Sequence, residues 1–268
     1  MIEGEIVMFA GFNLITEETF DDFKENGYRL FNENKKKVEK EFEIFISNDG
    51  SVNGTSLQKH WFPQIKADIF ISHSHKDEEK AISLAGWLNS TFGLNAFIDS
   101  CVWGFANNLL KSIDEKYCKN PNGVTYDYEK RNYSTSHVHT MLSTALTTMI
   151  DNTECVLFLN TPNSLCTSEV INQTHSPWIY LEIAMTQLIR KKEPNRPHEI
   201  LIKHAFEASE KLIIKYDLNM DHLQNINEND LKSWRDIFIK NQQIKEEHPL
   251  DTLYEKYGFI KKMETLKG

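Results

Sequence analysis

Asp68-Ile69-Phe70-Ile71-Ser72 is the stretch of sequence that decides the fold class. Its apolar residues follow one another without polar alternation, which indicates a short strand covered on both faces, as in the centre of a parallel sheet. Asn95-Ala96-Phe97-Ile98-Asp99 is a second run of this kind, and Gly93 ends the helical pattern that lies between the two. The segment therefore predicts a β-α-β unit of about 30 residues with a right-handed crossover. The apolar face of the predicted helix consists of Ala81, Leu84, Ala85 and Leu88.

The same alternation of strand and helix continues toward the C-terminus. Cys155-Val156-Leu157-Phe158-Leu159 is apolar at every position and predicts another central strand. A helix is expected after it, with Ser176 as the N-cap and Pro177 at the position that tolerates a missing N–H. Residues 211–216 are a candidate fourth strand. The chain is thus predicted to be an α/β protein with a doubly wound, mainly parallel sheet.

The pattern divides the chain into three parts. Residues 1–65 are expected to form an N-terminal extension, with a helix from Thr16, a short strand near 43–47 and an irregular connector. Residues 66–240 contain the alternating unit and a polar, Tyr-rich insertion at 119–136. Residues 241–268 are predicted to be a C-terminal helical tail.

Composition and charge exclude several classes of function. The chain has 268 residues, of which 40% are hydrophobic, so it can bury an ordinary core. Its net charge of -9 disfavours nucleic acid as a partner. The apolar stretch at 6–15 is too short for a membrane span, and Glu3 and Glu5 stand where a signal peptide needs positive charge. We therefore expect a cytoplasmic protein that does not bind a membrane.

Ligands of doubly wound sheets bind beyond the carboxyl ends of the strands, so the candidate site should lie there. The sequence has no glycine-rich phosphate loop and no nucleophile elbow, which disfavours phosphoryl transfer and serine hydrolysis. The histidine pairs at 73–75 and 137–139 lack supporting ligands at a suitable spacing, so we expect neither a metal nor a cofactor.

Trp178 and Glu182 are the most informative pair of residues. They are spaced i, i+4 near the start of the helix that follows the third predicted strand, so they share one face above the predicted crevice. An aromatic surface beside a carboxylate suits a flat cationic ring. The same pair could equally be a half-buried anchor and a solvated charge.

Two segments resemble TIR domains. The stretch from Asp68 to Asp77 resembles their first strand and the loop after it, and Ser176-Pro177-Trp178-Ile179-Tyr180-Leu181-Glu182 is similar to the segment that carries the catalytic glutamate of NAD-cleaving TIR enzymes. The resemblance covers roughly residues 66–240 and implies a flavodoxin-like sheet. In having a single TIR unit with its own extensions, the chain also resembles stand-alone TIR proteins of bacterial antiphage systems such as Thoeris, which make a nucleotide signal for a partner effector.

The resemblance implies that the chain cleaves the bond between nicotinamide and ribose in NAD⁺, with Glu182 as the catalytic group. It also places residues 100–108 in the loop through which such domains assemble, so we expect a homo-oligomer. The residues expected to line the substrate pocket are Trp178, Phe70, Ser72, Asp99, Trp103 and Phe105.

Other functions stay open at this point. The product could be ADP-ribose, a cyclic form or a conjugate, depending on the acceptor. A TIR domain can also be a non-catalytic scaffold that acts by homotypic assembly. A phosphate-accepting receiver shares the sheet topology but needs paired acidic residues that the first strand lacks.

Overall fold

Five parallel strands form the central sheet of the chain. The computed structural model describes residues 9–36, 42–47, 49–168, 171–174, 176–189, 191, 199–200, 216–217, 219–242 and 247–261. In chain order the elements are β1 (Ala10–Ile15), α1 (Lys24–Lys36), α2 (Gly54–Trp61), β2 (Ile69–Ser72), α3 (Glu78–Phe92), β3 (Ala96–Ile98), α4 (Ser100–Ile113), α5 (Tyr128–Asp151), β4 (Cys155–Asn160), β5 (Cys166–Ser168), β6 (Ile171–Thr174), α6 (Pro177–Leu188), β7 (Glu199–Ile200), β8 (Tyr216–Asp217), β9 (Gln224–Asn227), α7 (Glu228–Gln242), α8 (Pro249–Lys256) and β10 (Ile260–Lys261).

The strand order of the sheet is β3-β2-β4-β1-β9, and the predicted doubly wound α/β fold is confirmed. The predicted β-α-β unit is β2-α3-β3, and Gly93 ends α3 with a φ of 70° in the left-handed region. The third predicted strand is β4, which pairs with β2 on one side and with β1 on the other. It is therefore the middle strand, as its apolar sequence requires.

The N-terminal strand β1 corrects the expected division of the chain. Residues 1–65 were expected to lie outside the sheet, but β1 is inserted between β4 and β9. If strands are counted from β2, the order matches the flavodoxin-like order 2-1-3-4-5, with β1 in the fourth place and β9 in the fifth. A domain confined to residues 66–240 would lack the strand between β4 and β9. The N-terminal segment supplies that strand.

Helices α1, α3, α7 and α8 cover one face of the sheet. Aromatic rings join α7 to α3: Trp234 of α7 stacks on Phe92 of α3 with ring centroids 4.0 Å apart and meets Trp87 edge-on at 6.2 Å. Tyr254 of α8 is fully buried and lies parallel to Phe12 of β1 at 6.4 Å. Residues 249–256 are therefore part of the core and not a peripheral tail.

Helices α4, α5 and α6 pack together on the other face. The expected loop at residues 100–108 is wrong, because α4 begins directly at Ser100. The reason is a helical spacing of apolar residues that the loop interpretation overlooked: Cys101, Ala106 and Leu109 are all buried.

The expected insertion at 119–136 consists of a turn followed by the start of a helix. Its first part is a turn closed by a bridge between Lys119 and Tyr126. Asp127 then caps α5, since its Oδ1 accepts a hydrogen bond of 2.9 Å from the amide of Lys130. The remaining residues of the insertion are the first turns of α5.

Several smaller expectations also change. Residues 42–45 are a short 3-10 helix instead of a strand, and the expected connector at 50–63 contains α2. Of the candidate strand at 211–216, residues 211–215 lie outside the described part, and Tyr216 belongs to the small sheet β5-β6-β8. A second small sheet pairs β7 with β10. Among the described helices, none combines the length and apolarity needed to cross a membrane.

Candidate functional site

The candidate site lies at the carboxyl ends of β2 and β3. Strand β2 continues into α3 on one face of the sheet, whereas its neighbour β4 is followed by α6 on the other face, so the two strands flank a topological switch point. Helix α6 begins at Pro177, and the Oγ of Ser176 accepts a hydrogen bond of 3.3 Å from the amide of Ile179, as the sequence predicted. This start directs Glu182 toward the end of β2.

Four polar side chains meet at this point, and all four have 0% relative exposure: Ser72, His73, Asp99 and Glu182. The hydroxyl of Ser72 donates a hydrogen bond of 2.6 Å to Oε2 of Glu182. The Nδ1 atom of His73 lies 2.7 Å from Oδ1 of Asp99. The carboxyl groups of Asp99 and Glu182 are close enough for each to shift the pKa of the other, and a hydrogen bond between them requires a proton on one of the two.

Burial shifts the protonation equilibria of this cluster. It raises the pKa of Glu182 well above its usual range, and the adjacent charge of Asp99 raises it further. The pKa of Asp99 is also raised by burial. Burial lowers the pKa of His73 to about 4, despite the opposing charge of Glu182. At neutral pH the cluster therefore contains a neutral imidazole and a carboxyl pair that retains a proton.

The loops on either side of the cluster are tied together. Asp77, in the loop after β2, accepts hydrogen bonds from Thr161 Oγ1 at 2.5 Å and from Asn163 Nδ2 at 2.7 Å. Asp77 directly precedes α3, but its side chain makes no cap hydrogen bond there. It instead joins the loop after β2 to the loop after β4, across the switch point.

Three of the predicted site residues, Ser72, Asp99 and Glu182, are brought together by the fold. Phe70 is not part of this group: it is fully buried in the core, with its ring 5.5 Å from that of Phe97. Trp178 is half-buried, and its ring meets His139 of α5 edge-on at 5.4 Å.

The remaining two predicted residues lie on α4. Phe105 packs in part against the main core, and its carbonyl accepts a hydrogen bond of 2.8 Å from Trp61 Nε1. It is therefore not at the tip of an exposed loop. The side chain of Trp103 lies outside the described part of the chain.

His73 is the member of the cluster that sequence reasoning missed. It was interpreted as half of a histidine pair in a loop, yet it directly follows a central strand and is fully buried. That position was the available indication, because the residue after a parallel strand lies at the ligand-binding edge. Among the described residues, neither histidine pair belongs to a group of three possible metal ligands.

The fold and the cluster define a doubly wound α/β protein with a buried acidic group at its switch point. No family model, curated protein or solved structure matches the chain.

Proposed function

We propose that this chain cleaves the N-glycosidic bond between nicotinamide and ribose in NAD⁺, with Glu182 as the catalytic group. The observation that carries the proposal is the Glu182 carboxyl, held by Ser72 and Asp99 at the ends of β2 and β3. The resemblance of the Ser176 to Glu182 segment to NAD-cleaving TIR enzymes supports the same residue.

The chemistry fits a single carboxyl group. When the bond between C1′ and the ring nitrogen breaks, its electron pair goes to nicotinamide, which leaves as a neutral molecule, and the ribose becomes an oxocarbenium-like cation. A carboxylate in a site of low dielectric constant stabilises that charge strongly. Attack by water at C1′ then gives ADP-ribose and releases one proton.

Substrate binding would also change the protonation of Glu182. The closed cluster holds a proton, but a nicotinamide ring with its positive charge favours the ionised carboxylate. Because Glu182 has 0% relative exposure, the substrate reaches it only after the surrounding side chains move. Trp178, one helical turn earlier on α6, would form an aromatic wall for the ring.

The proposal extends to the product and its use. Water, an adenine nitrogen or a second small molecule are the alternative acceptors, and all follow the same first step. Two parts of the proposal rest on the resemblance alone. One is that the product acts as a signal for a downstream effector in antiphage defence, and the other is that several copies of the chain assemble.

A non-catalytic scaffold is the second candidate, and one observation favours it. Glu182 is completely buried and hydrogen-bonded to its neighbours, as expected for a side chain with a structural role. In that case the cluster would fix α6 against the sheet, and the chain would act by assembly.

Glu182→Gln distinguishes the two candidates, because glutamine keeps the size and hydrogen bonding of the side chain but removes its charge. With purified protein and NAD⁺, nicotinamide release followed by chromatography should fall by about 10²- to 10³-fold. Glu25→Gln, the same change at an exposed position of α1, is the matched control and should retain full activity. Mass spectrometry of the wild-type reaction identifies the acceptor.

Two results would argue for the scaffold: no nicotinamide release by the folded wild type, or equal turnover by the wild type and Glu182→Gln. Circular dichroism of each variant shows whether the fold is retained.

A further inference from the structure

A second group of ionisable side chains lies at the opposite end of the sheet from Glu182. Glu154 precedes β4, His248 precedes α8 and Asp251 is in the first turn of α8. Each of the three offers one ligand atom, and these atoms all lie within 4.8 Å of one another. We propose that Glu154, His248 and Asp251 bind a divalent transition metal ion of the Zn²⁺ type.

The spacing and the atom types suit such an ion. Zinc binds imidazole nitrogen and carboxylate oxygen at roughly 2.0–2.2 Å in a tetrahedral arrangement, so two ligands of one ion are about 3.3–3.6 Å apart. Ligand atoms within 4.8 Å of one another reach that range through small side-chain adjustments. One imidazole and two carboxylates carry a formal charge of about −2, which balances a divalent cation.

The backbone already holds the three residues in place. The carbonyl of Glu154 accepts hydrogen bonds from the amides of Phe9 at 2.7 Å and Ala10 at 3.2 Å. The amide of Asp251 donates to the carbonyl of His248 at 3.0 Å, which forms the first turn of α8. A site whose ligands are fixed before binding loses little conformational entropy when the ion arrives.

Helix α8 is anchored on both sides of His248. The carbonyl of Pro249 accepts a hydrogen bond of 2.8 Å from Trp234 Nε1, and Leu250 has 0% relative exposure. On the other side, the carboxylate and the carbonyl of Glu247 accept hydrogen bonds from Asn241 and Gln242 of α7. The imidazole therefore projects from a fixed segment.

The electrostatic surroundings also favour a cation. Glu154 is only 8% exposed, so water screens the charge of its carboxylate poorly. A bound divalent ion would offset the accumulated negative charge of Glu154 and Asp251.

An open cavity lies beside one of the three residues. His248 also lines an open cavity of about 580 Å³, together with Phe92, Phe238 and Pro249. A metal site needs such an entry path, and an open side leaves room for water in the coordination positions that the protein does not fill.

Metal titration tests the proposal directly. After dialysis against a chelator, the full chain is titrated with ZnCl₂ by calorimetry and with CoCl₂ by visible absorption. We expect one equivalent of Zn²⁺, a d–d absorption band with Co²⁺ and a higher melting temperature with metal. His248→Ala and Asp251→Asn should each weaken Zn²⁺ binding by about 10- to 100-fold.

His60→Ala is the matched control, because His60 is exposed on α2, and it should bind Zn²⁺ like the wild type. Asp251→Asn preserves the shape of the side chain, so it keeps the test decisive if His248→Ala fails to fold. The proposal is wrong if the wild type binds no Zn²⁺, or if Asp251→Asn binds it as tightly as the wild type. The outcome is independent of the NAD⁺ assay, which needs neither residue.

Discussion

Replacing Gly86 by alanine should destabilise the protein, although the same change in an exposed helix normally stabilises it. A Cβ atom at Gly86 would lie 2.2 Å from the carbonyl oxygen of Phe23 and 2.7 Å from the amide nitrogen of Gly27. An ordinary contact begins near 3.4 Å, so α1 would have to move away from α3 by about 1.2 Å. Because both obstacles are backbone atoms, no side-chain rotation relieves the clash.

The magnitude follows from two opposing effects. Overpacking of a core contact costs up to about 3 kcal/mol, and the better helix propensity of alanine returns about 1 kcal/mol. We therefore expect the free energy of unfolding to fall by about 2 kcal/mol, which lowers the melting temperature by roughly 4–8 °C for a chain of this size. Urea denaturation followed by circular dichroism measures the change.

Gly54→Ala is the control for this prediction. A Cβ atom at Gly54 would meet only the terminal methyl of Met141 at 3.4 Å, so its unfolding free energy should stay within about 0.5 kcal/mol of the wild type. If Gly86→Ala is as stable as Gly54→Ala, α1 does not pack on α3 as described. The N-terminal segment would then be an appendage, as the sequence suggested.

Two further predictions concern the buried cluster and α8. Because the pKa of Glu182 is raised, the folded state retains a proton that the unfolded chain releases. Above about pH 6.5 the free energy of unfolding should therefore fall with rising pH, by up to about 1.4 kcal/mol per unit, until Glu182 itself ionises. Glu182→Gln should flatten that fall. His73, with a pKa lowered to about 4, destabilises the folded state only below about pH 6.5 and so does not affect this range. Equal slopes in the wild type and in Glu182→Gln would contradict the cluster. Leu253→Ala should cost about 2–5 kcal/mol because Leu253 is 1% exposed, and an unchanged urea midpoint would show that α8 is peripheral.

Local patterns in the sequence were sufficient for the part of the fold that is built from adjacent elements. The unit β2-α3-β3 and strand β4 were predicted because each apolar run and helical stripe is visible within a short window. Strand β1 was not predicted, although Phe12 and Leu14 are fully buried, because the apolar stretch at 6–15 was considered only as a membrane span or signal peptide and its partners β4 and β9 cannot be identified locally. Pairing between distant segments leaves no trace in a local pattern.

The candidate site shows the same division. Ser72, Asp99 and Glu182 were predicted because strand ends and helix starts are recognisable in the sequence. Phe70 was assigned to the pocket because it is close to Ser72 along the chain, but it precedes the strand end by two residues and is buried in the core. The group at Glu154, His248 and Asp251 could not be predicted, since Glu154 is almost 100 positions away from the other two residues in the sequence.

The position of β1 also bears on how the candidate site is held. Asn13 of β1 donates a hydrogen bond of 2.7 Å to Asn225 of β9 and accepts one of 3.0 Å from Asn160 of β4, so side chains join three strands of the sheet. Asn160 is followed at once by Thr161, whose hydroxyl donates to Asp77 in the loop after β2. Because the hydrogen bond from Asn160 ties β1 to β4, and Thr161 ties the loop after β4 to the loop after β2, a strand from the N-terminus helps to hold the edge at which the buried carboxyl pair lies. The N-terminal segment is therefore structurally part of the candidate site, although it contributes no residue to the cluster itself.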